Sequence, residues 1–188
     1  ARAWLDRIMA GRIPDVGRVS LAPMLSPKGR LIGDFTISRL GEEEFQLTSS
    51  YGYQSVHERW LRSHLEAGID IENISDRRTG FQIAGPMART VLAEVTRADV
   101  SAESFLFMDV KRMPVGMCDC IVQRLSYTGD LGYEIYTDAM DQRSLWETLF
   151  AAGQKHGMRP FGMRAMMSLR LDKFFGSWLS EFSPDYTP

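Results

Sequence analysis

Two periods of hydrophobic and polar positions alternate along the chain, and each change of period marks a predicted element. A period of two predicts strands, whereas apolar residues spaced three and four apart predict helices. Strands are predicted over residues 18–25, 30–38, 44–49, 69–75, 79–84, 105–111, 115–125 and 132–137. Helices are predicted over residues 1–10, 53–66, 87–96, 142–155 and 163–172.

Turn-forming residues separate these elements and define two of their connections. Pro27 presets φ and Gly29 is free to take a positive φ, so residues 18–38 are predicted to form a β-hairpin. Asp141 stands where it can cap the helix that follows it.

The two halves of the chain share one outline, in which a hairpin is followed by a strand and an amphipathic helix. This outline predicts an α+β fold built from two packed, duplicated β-hairpin/strand/helix subdomains, with approximate bounds 1–97 and 98–188. The sequence begins without Met, so we expect the parent protein to contain residues upstream of it.

Composition excludes several classes of function. Hydrophobic residues make up 44 % of the chain, and the net charge is −2 with both signs mixed. No cluster of Lys and Arg could displace counterions from phosphates, so nucleic acid is not an expected partner. No apolar run approaches the roughly 20 residues that cross a bilayer, so a membrane is not expected either. Glycine-rich phosphate loops are also missing.

Cys118 and Cys120 are separated by one residue and would share one face of a strand. This spacing does not match the usual zinc patterns, and the chain has only three histidines to complete a site. We therefore expect two reduced thiols and no metal, as in a reducing compartment.

Asp34 is the first candidate for chemistry. It lies in a strand, a setting that disfavours Asp, on the face opposite Phe35 and Ile37. An Asp at such a position needs solvent, a hydrogen-bond partner or a ligand. The sequence alone leaves a solvated strand position open beside a functional one.

The second candidate is the turn-rich segment over residues 124–135, where Tyr127 ends one strand and Glu134 lies in the next. Gly132 precedes Glu134 on the same face, so it is expected to leave room for a flat object against the backbone. A carboxylate beside that space can accept two parallel N–H bonds, as the edge of a pterin or guanine ring offers. An exposed Glu in an ordinary hairpin is the alternative.

Arg164 is the third candidate, because it stands at the start of the last predicted helix. The helix dipole disfavours a cation there, which indicates a specific partner. That partner is either a ligand carboxylate or a neighbouring acidic side chain.

At these residues the chain resembles the aminomethyltransferase family of folate-binding proteins, which includes the glycine-cleavage T-protein. The shared segments are the hairpin over 27–37 and the Tyr-Thr-Gly-x-x-Gly-x-Glu pattern over 127–134. A third family segment consists of Phe-Gly-Met-Arg over 161–164, residues 168–173 and Gly-Ser-Trp over 176–178. Residues 81–86 are similar to the family's strand-to-helix junction. The Gly-Asp-Phe-Thr sequence in the hairpin points to the folate domains of dimethylglycine and sarcosine dehydrogenases.

The resemblance implies a role for each candidate. Glu134 would bind the pterin edge, and Tyr127 would pack on or hydrogen-bond to the folate. Asp34 would lie near the folate nitrogens that receive the carbon, and Arg164 would contact folate or support the site. Tetrahydrofolate is the implied cofactor, and FAD would belong only to a fused domain outside this chain.

The implied reaction transfers one carbon from dimethylglycine, sarcosine or a glycine-derived aminomethyl group and gives 5,10-methylenetetrahydrofolate. The implied partners are a small amine donor, folate, and a flavin dehydrogenase domain or a lipoyl carrier protein. The implied location is the cytoplasm, or the mitochondrial matrix in a eukaryote. Residues 1–188 would form the central part of the family domain, truncated at both ends, so part of the folate cavity would lie outside them.

Two alternatives stay open. One keeps the fold but transfers a methyl group from another donor, such as a sulfonium compound, to tetrahydrofolate. The other is a non-catalytic or truncated folate-binding module.

Met166 and Met167 depart from the family pattern, which usually carries Asp or Asn there. The related iron–sulfur-maintenance proteins carry a Cys in the second motif, and this chain has none there.

Overall fold

The computed structural model describes residues 1–177 and 181–182. Trp178 of the third family segment, and the tail over 183–188, which the sequence predicts to be irregular, lie outside the described residues. The chain divides into two compact units, Ala1–Ser75 with Gly176–Pro188, and Asp76–Phe175. Residue 97, the approximate subdomain boundary expected from the sequence, lies within the second unit.

The first unit is a three-stranded antiparallel sheet in the order β1-β2-β3 with helices on one face. Its elements are α1 (Arg2–Ile8), β1 (Val19–Leu25), β2 (Leu31–Arg39), β3 (Phe45–Thr48) and α2 (Gln54–Ser63). The predicted hairpin is confirmed, with Gly29 at φ 72° in its turn. The core joins both helices to one face of the sheet through Trp4, Leu5, Ala22, Met24, Phe35, Ile37 and Leu61.

The second unit is a four-stranded antiparallel sheet in the order β4-β7-β6-β5. Its elements are β4 (Arg78–Ala84), α3 (Ala88–Val95), β5 (Val110–Val115), β6 (Cys118–Gln123), β7 (Gly132–Asp138), α4 (Gln142–Gln154) and α5 (Met163–Asp172). Its core contains Leu92 of α3, Leu145 and Leu149 of α4, and Tyr133 and Ile135 of β7. Asp141 occupies the N-cap of α4 as predicted, although its side chain makes no capping hydrogen bond.

The predicted duplication is visible in the order of the elements. A hairpin, a third antiparallel strand, a 3₁₀ turn and a helix follow one another in each unit, as β1-β2-β3-α2 and as β5-β6-β7-α4. The second unit adds β4 and α3 before this series, and β4 pairs with β7. The fold is therefore α+β, as the sequence predicted.

Two predicted strands are wrong, and local side-chain hydrogen bonds explain both. Residues 69–75 form no strand, because Asn73 Oδ1 accepts a hydrogen bond from the Ser75 backbone N–H at 3.0 Å and so forms a turn. Residues 106–109 form another turn, because Asp109 Oδ2 accepts from the Leu106 N–H at 2.6 Å. The strand predicted over 105–111 consequently begins only at Val110.

Cys118 and Cys120 are both buried in the core of the second unit, on the same face of β6 as predicted. Both are free thiols. Burial raises the pKa of Cys120 to about 11, since the thiolate is poorly solvated there. Cys120 is therefore not a candidate nucleophile. Among the described helices, none has the length and apolar character to cross a membrane.

Candidate functional site

The second sheet has one face covered by helices and one face that carries polar side chains. Phe81 and Ile83 of β4 pack into the helical core with Tyr133 and Ile135 of β7. Because side chains alternate along a strand, Glu134 must point to the other face. Glu134 is half-buried there, so the sheet both desolvates its carboxylate and leaves it accessible.

Glu134 lies in a row of polar side chains that crosses three strands. It pairs with Gln82 of β4 on one side and with Gln123 of β6 on the other. Tyr136, two residues further along β7, donates a hydrogen bond from its hydroxyl to Glu134 Oε2 at 2.6 Å. Glu134 Oε1 accepts no hydrogen bond from a described residue. One carboxylate oxygen is thus oriented while the other can still accept a hydrogen bond from a ligand.

The ring of Tyr136 is itself held against the backbone of the neighbouring strand. A Cβ on Gly80, its partner in β4, would lie 2.8 Å from the Tyr136 ring. Only glycine leaves that space, so the flat side chain lies over the β4 backbone. This packing fixes the hydroxyl that orients Glu134.

Lys173, which follows α5, supplies positive charge to this site. Its Nζ donates a hydrogen bond to the Ser126 carbonyl oxygen at 2.9 Å and lies 4.7 Å from the centre of the Phe175 ring. Burial raises the pKa of Glu134, while the hydrogen bond from Tyr136 and the charge of Lys173 lower it in part. Burial likewise lowers the pKa of Lys173, and Glu134 opposes that shift. Each ion therefore favours the charged form of the other.

Tyr127 is half-buried and lies in the same unit as Glu134. Its ring meets the Phe175 ring edge to face, with centroids 5.5 Å apart and planes at 77°. Lys173 connects the two candidates, because it packs over Phe175 and acts electrostatically on Glu134. The structure therefore brings Tyr127 and Glu134 into one cluster.

The interpretation of Gly132 as open space for a flat ligand is wrong. A Cβ at this position would lie 2.6 Å from Ser126 Cβ and 2.8 Å from the Ile83 carbonyl oxygen. The room beside the backbone is filled by Ser126, whose Oγ accepts a hydrogen bond from the Gly129 N–H at 3.1 Å. Gly132 therefore allows the turn before β7 to pack closely on the sheet.

We expect Gly132→Ala to lower the free energy of unfolding by about 1–3 kcal/mol, because the added methyl group overpacks this contact. Gly52→Ala is the matched control, since a Cβ there meets no atom within 4 Å. Urea unfolding of the three proteins measures the difference. Equal stability of the two variants would contradict the close packing at Gly132.

Asp34 lies in the first unit, on the face of β2 that points away from the helical core, opposite Pro23 of β1. Its backbone carbonyl accepts a hydrogen bond from Ser49 Oγ at 2.8 Å, which fixes the strand locally. Its carboxylate has no hydrogen bond or ion pair with a described residue. Burial raises the pKa of Asp34, because the charged form is poorly solvated there. A half-buried carboxylate of this kind is typical of functional sites.

Arg164 is the second residue of α5, and its side chain is exposed. Within the described part of the chain it makes no hydrogen bond or ion pair. No described acidic side chain is therefore the partner of Arg164, and its role toward folate stays a prediction.

Three residues of this region were missed by reasoning from sequence. Tyr136 could have been found, since it lies two residues beyond Glu134 and so on the same face. Lys173 and Gln82 lie in segments that resemble the family, but nothing in the sequence assigned either of them a role. Both reach the neighbourhood of Glu134 through pairing and packing of segments that are distant in sequence.

A model of the GCVT N-terminal domain family matches residues 1–188. The mitochondrial dimethylglycine dehydrogenases of Mus musculus and Homo sapiens are each 36 % identical over 187 residues, which is 98 % of this chain and 22 % of theirs. The aminomethyltransferase of Bacillus subtilis (strain 168) is 29 % identical over 189 residues, 99 % of this chain and 52 % of its own. The chain thus spans between about a fifth and a half of the length of these relatives.

Solved structures share the fold. The glycine cleavage system aminomethyltransferase T from Bartonella henselae superposes with a TM-score of 0.82 at 23 % identity, over 99 % of this chain and 49 % of its own. The heterotetrameric sarcosine oxidase from Corynebacterium sp. U-96 gives a TM-score of 0.64 at 20 % identity, over 86 % of this chain and 76 % of the matched chain. Because the family model matches the whole chain, this protein belongs to the GCVT N-terminal domain family.

Proposed function

We propose that this chain forms part of a tetrahydrofolate-dependent one-carbon transferase. The donor would be a methylamine-type compound, and the product 5,10-methylenetetrahydrofolate. The observation that carries this proposal is the half-buried carboxylate of Glu134, oriented by Tyr136 through one oxygen and without a described partner on the other. Membership of a family whose relatives include aminomethyltransferases and dimethylglycine dehydrogenases supports the same chemistry.

Glu134 fits the edge of a pterin ring for a physical reason. That edge presents two neighbouring N–H donors, and an ionised carboxylate accepts such a pair with charge-assisted hydrogen bonds. Lys173 favours the ionised form despite the burial of the site. The aromatic rings of Tyr127 and Phe175 offer apolar surface in the same cluster, suited to a flat heterocycle.

Asp34 is proposed to act at the reacting carbon. An iminium or aminomethyl carbon is electrophilic, and a carboxylate can stabilise that positive charge and accept the proton released when a folate nitrogen bonds to it. Asp34 suits this role because its carboxylate is half-buried and not engaged by a described residue. Arg164 is proposed to contact the folate or to support the site, and its exposed side chain leaves it available.

The donor is proposed to be dimethylglycine, sarcosine or a glycine-derived aminomethyl group. The names of the related proteins support this range, and they also support a flavin dehydrogenase domain as partner. A lipoyl carrier protein is the corresponding partner for the glycine-derived group. We expect the protein to act in the cytoplasm, or in mitochondria as the dimethylglycine dehydrogenase relatives do.

The direct test is calorimetric titration of 5-formyltetrahydrofolate into this chain and into the full-length protein. We expect binding that weakens as the pH falls through the raised pKa of Glu134, because only the ionised carboxylate accepts hydrogen bonds from both N–H groups of the ligand. The midpoint of this loss should therefore lie above the ordinary value of 4.5. The Glu134→Gln variant serves as the control and should lose this pH dependence.

Absence of binding by both proteins would overturn the proposed function. Binding by the full-length protein alone would support it and show that the cavity needs residues outside this chain. Binding of folate without turnover of any methylamine donor by the full-length protein would instead favour a non-catalytic folate module.

A further inference from the structure

Gln82 carries a buried donor that nothing else in the described structure uses. Its Nε2 is buried and makes no hydrogen bond with a described residue. Buried amide groups are nearly always paired, so an unpaired one calls for a partner that is not part of the described chain. A ligand that carries an acceptor is one such partner, and a water molecule is the other.

The position of Gln82 favours a ligand. It lies on β4 directly opposite Glu134 of β7, on the sheet face that points away from the helical core. Opposite residues of an antiparallel pair have Cβ atoms about 4.5–5.5 Å apart, so their side chains run side by side. The amide donor of Gln82 and the carboxylate acceptor of Glu134, on side chains of equal length, therefore lie next to each other on this face of the sheet.

The other donors of this cluster, Lys173 and Tyr136, cannot take the place of Gln82. Lys173 Nζ already donates to the Ser126 carbonyl oxygen and packs on the Phe175 ring. Tyr136 donates its hydroxyl hydrogen to Glu134. Gln82 Nε2 thus remains as the donor beside Glu134 that has no described acceptor.

We propose that Gln82 determines which heterocycle this site accepts, by donating from Nε2 to a ring carbonyl next to the two N–H groups that Glu134 binds. The inference rests on the proposed function. A 2-amino-4-oxo ring presents this order along one edge: two donors followed by a carbonyl acceptor. A 2,4-diamino ring replaces the carbonyl with a second amino group, which sets donor against donor and leaves Gln82 Nε2 unpaired. The same change removes the hydrogen of ring atom N3, so Glu134 also loses one of its two donors.

The experiment compares two probes, folic acid and its 4-amino analogue, which differ in the 4-oxo group and in the N3 hydrogen that accompanies it. The share of the discrimination that belongs to Gln82 is the change in the affinity ratio when Gln82 is replaced. The full-length protein should bind folic acid at least about tenfold more tightly, since a site built to hydrogen-bond a group discriminates against ligands that lack it. Gln82→Met keeps the length of the side chain and removes the donor. It should weaken folic acid about tenfold and leave the affinity for the 4-amino analogue unchanged.

Gln142→Met is the matched control, because Gln142 is exposed at the start of α4, and it should preserve both affinities. Gln82→Glu gives a second, independent result. Its carboxylate accepts from the 4-amino group and repels the 4-oxo group, so the affinity ratio should shift toward the analogue relative to Gln82→Met. Partial unfolding weakens the apparent affinity for both probes by the same factor, so a partly folded variant still gives a valid ratio between them.

Unchanged affinities for both probes in Gln82→Met and Gln82→Glu would overturn the inference and assign the buried amide to a water molecule. Equal weakening of both probes would also overturn it, since a purely structural role affects both ligands alike. Failure of the unmodified protein to bind either probe would instead defeat the proposed function itself.

Discussion

Asp34→Asn in the full-length protein is expected to lower the rate of one-carbon transfer by about 10²- to 10⁴-fold, the range typical of a lost general acid or base. The affinity for folate should change little. Asn has the same shape as Asp, but it neither carries the charge that stabilises a cationic carbon nor accepts the released proton. The carboxylate of Asp34 has no described partner, so its replacement breaks no internal contact.

Steady-state turnover and calorimetric binding of 5-formyltetrahydrofolate measure the two effects separately. Asp15→Asn is a suitable control in the same unit, because the exposed Asp15 side chain makes only a surface ion pair with Arg12 among the described residues. That variant should keep both properties. Equal losses of turnover and affinity in Asp34→Asn would point to a contact made already in the ground state, and not to a role in the transition state.

Glu134→Gln is expected to weaken folate binding roughly tenfold to a hundredfold, which corresponds to the 1.5–3 kcal/mol of a hydrogen bond to a charged group. Gln keeps one acceptor oxygen, so Tyr136 can still donate to it. The second acceptor becomes an NH₂ group, which opposes the N–H donors of the pterin edge. Loss of the charge also removes the attraction that Lys173 provides.

Asp138→Asn on the same strand is the control, because its exposed side chain makes only an ion pair with Arg78. Such surface pairs contribute about 0–1 kcal/mol, so neither folding nor binding should suffer. If Glu134→Gln bound folate as tightly as this control does, the assignment of the pterin site to Glu134 would be wrong.

Stability provides a check that Glu134→Gln is folded. The pKa of Glu134 is raised in the folded protein, so its ionisation destabilises the fold. The neutral form of Glu134 therefore contributes stability. This contribution is complete below the ordinary value of 4.5 and is lost as the pH rises through the raised pKa. The variant should therefore be at least as stable as the unmodified protein near neutral pH.

The sequence determined the features that depend on local geometry. The alternation of apolar residues placed Asp34 on the face opposite Phe35 and Ile37, and the structure agrees. The same rule placed Cys118 and Cys120 on one face of a strand, and the structure shows that this face lies in the core. A strand has a side-chain period of two wherever it occurs, so such assignments need no knowledge of the rest of the chain.

Alternation failed where a local hydrogen bond competed with strand pairing. Residues 69–75 have the pattern of a strand, yet the side chain of Asn73 forms a turn with Ser75. A strand is stable only beside a partner, and the sheet of the first unit contains only β1, β2 and β3 among the described residues. Sequence pattern cannot reveal whether such a partner exists.

Tertiary structure alone decided the composition of the site around Glu134. Gln82 stands opposite Glu134 only because β4 pairs with β7 in one register, across a long separation in sequence. Lys173 acts on Glu134 because the chain after α5 packs against Ser126 and Phe175. Local propensities fix which face a side chain takes, whereas the burial of whole elements fixes which faces meet, and no single segment contains that information.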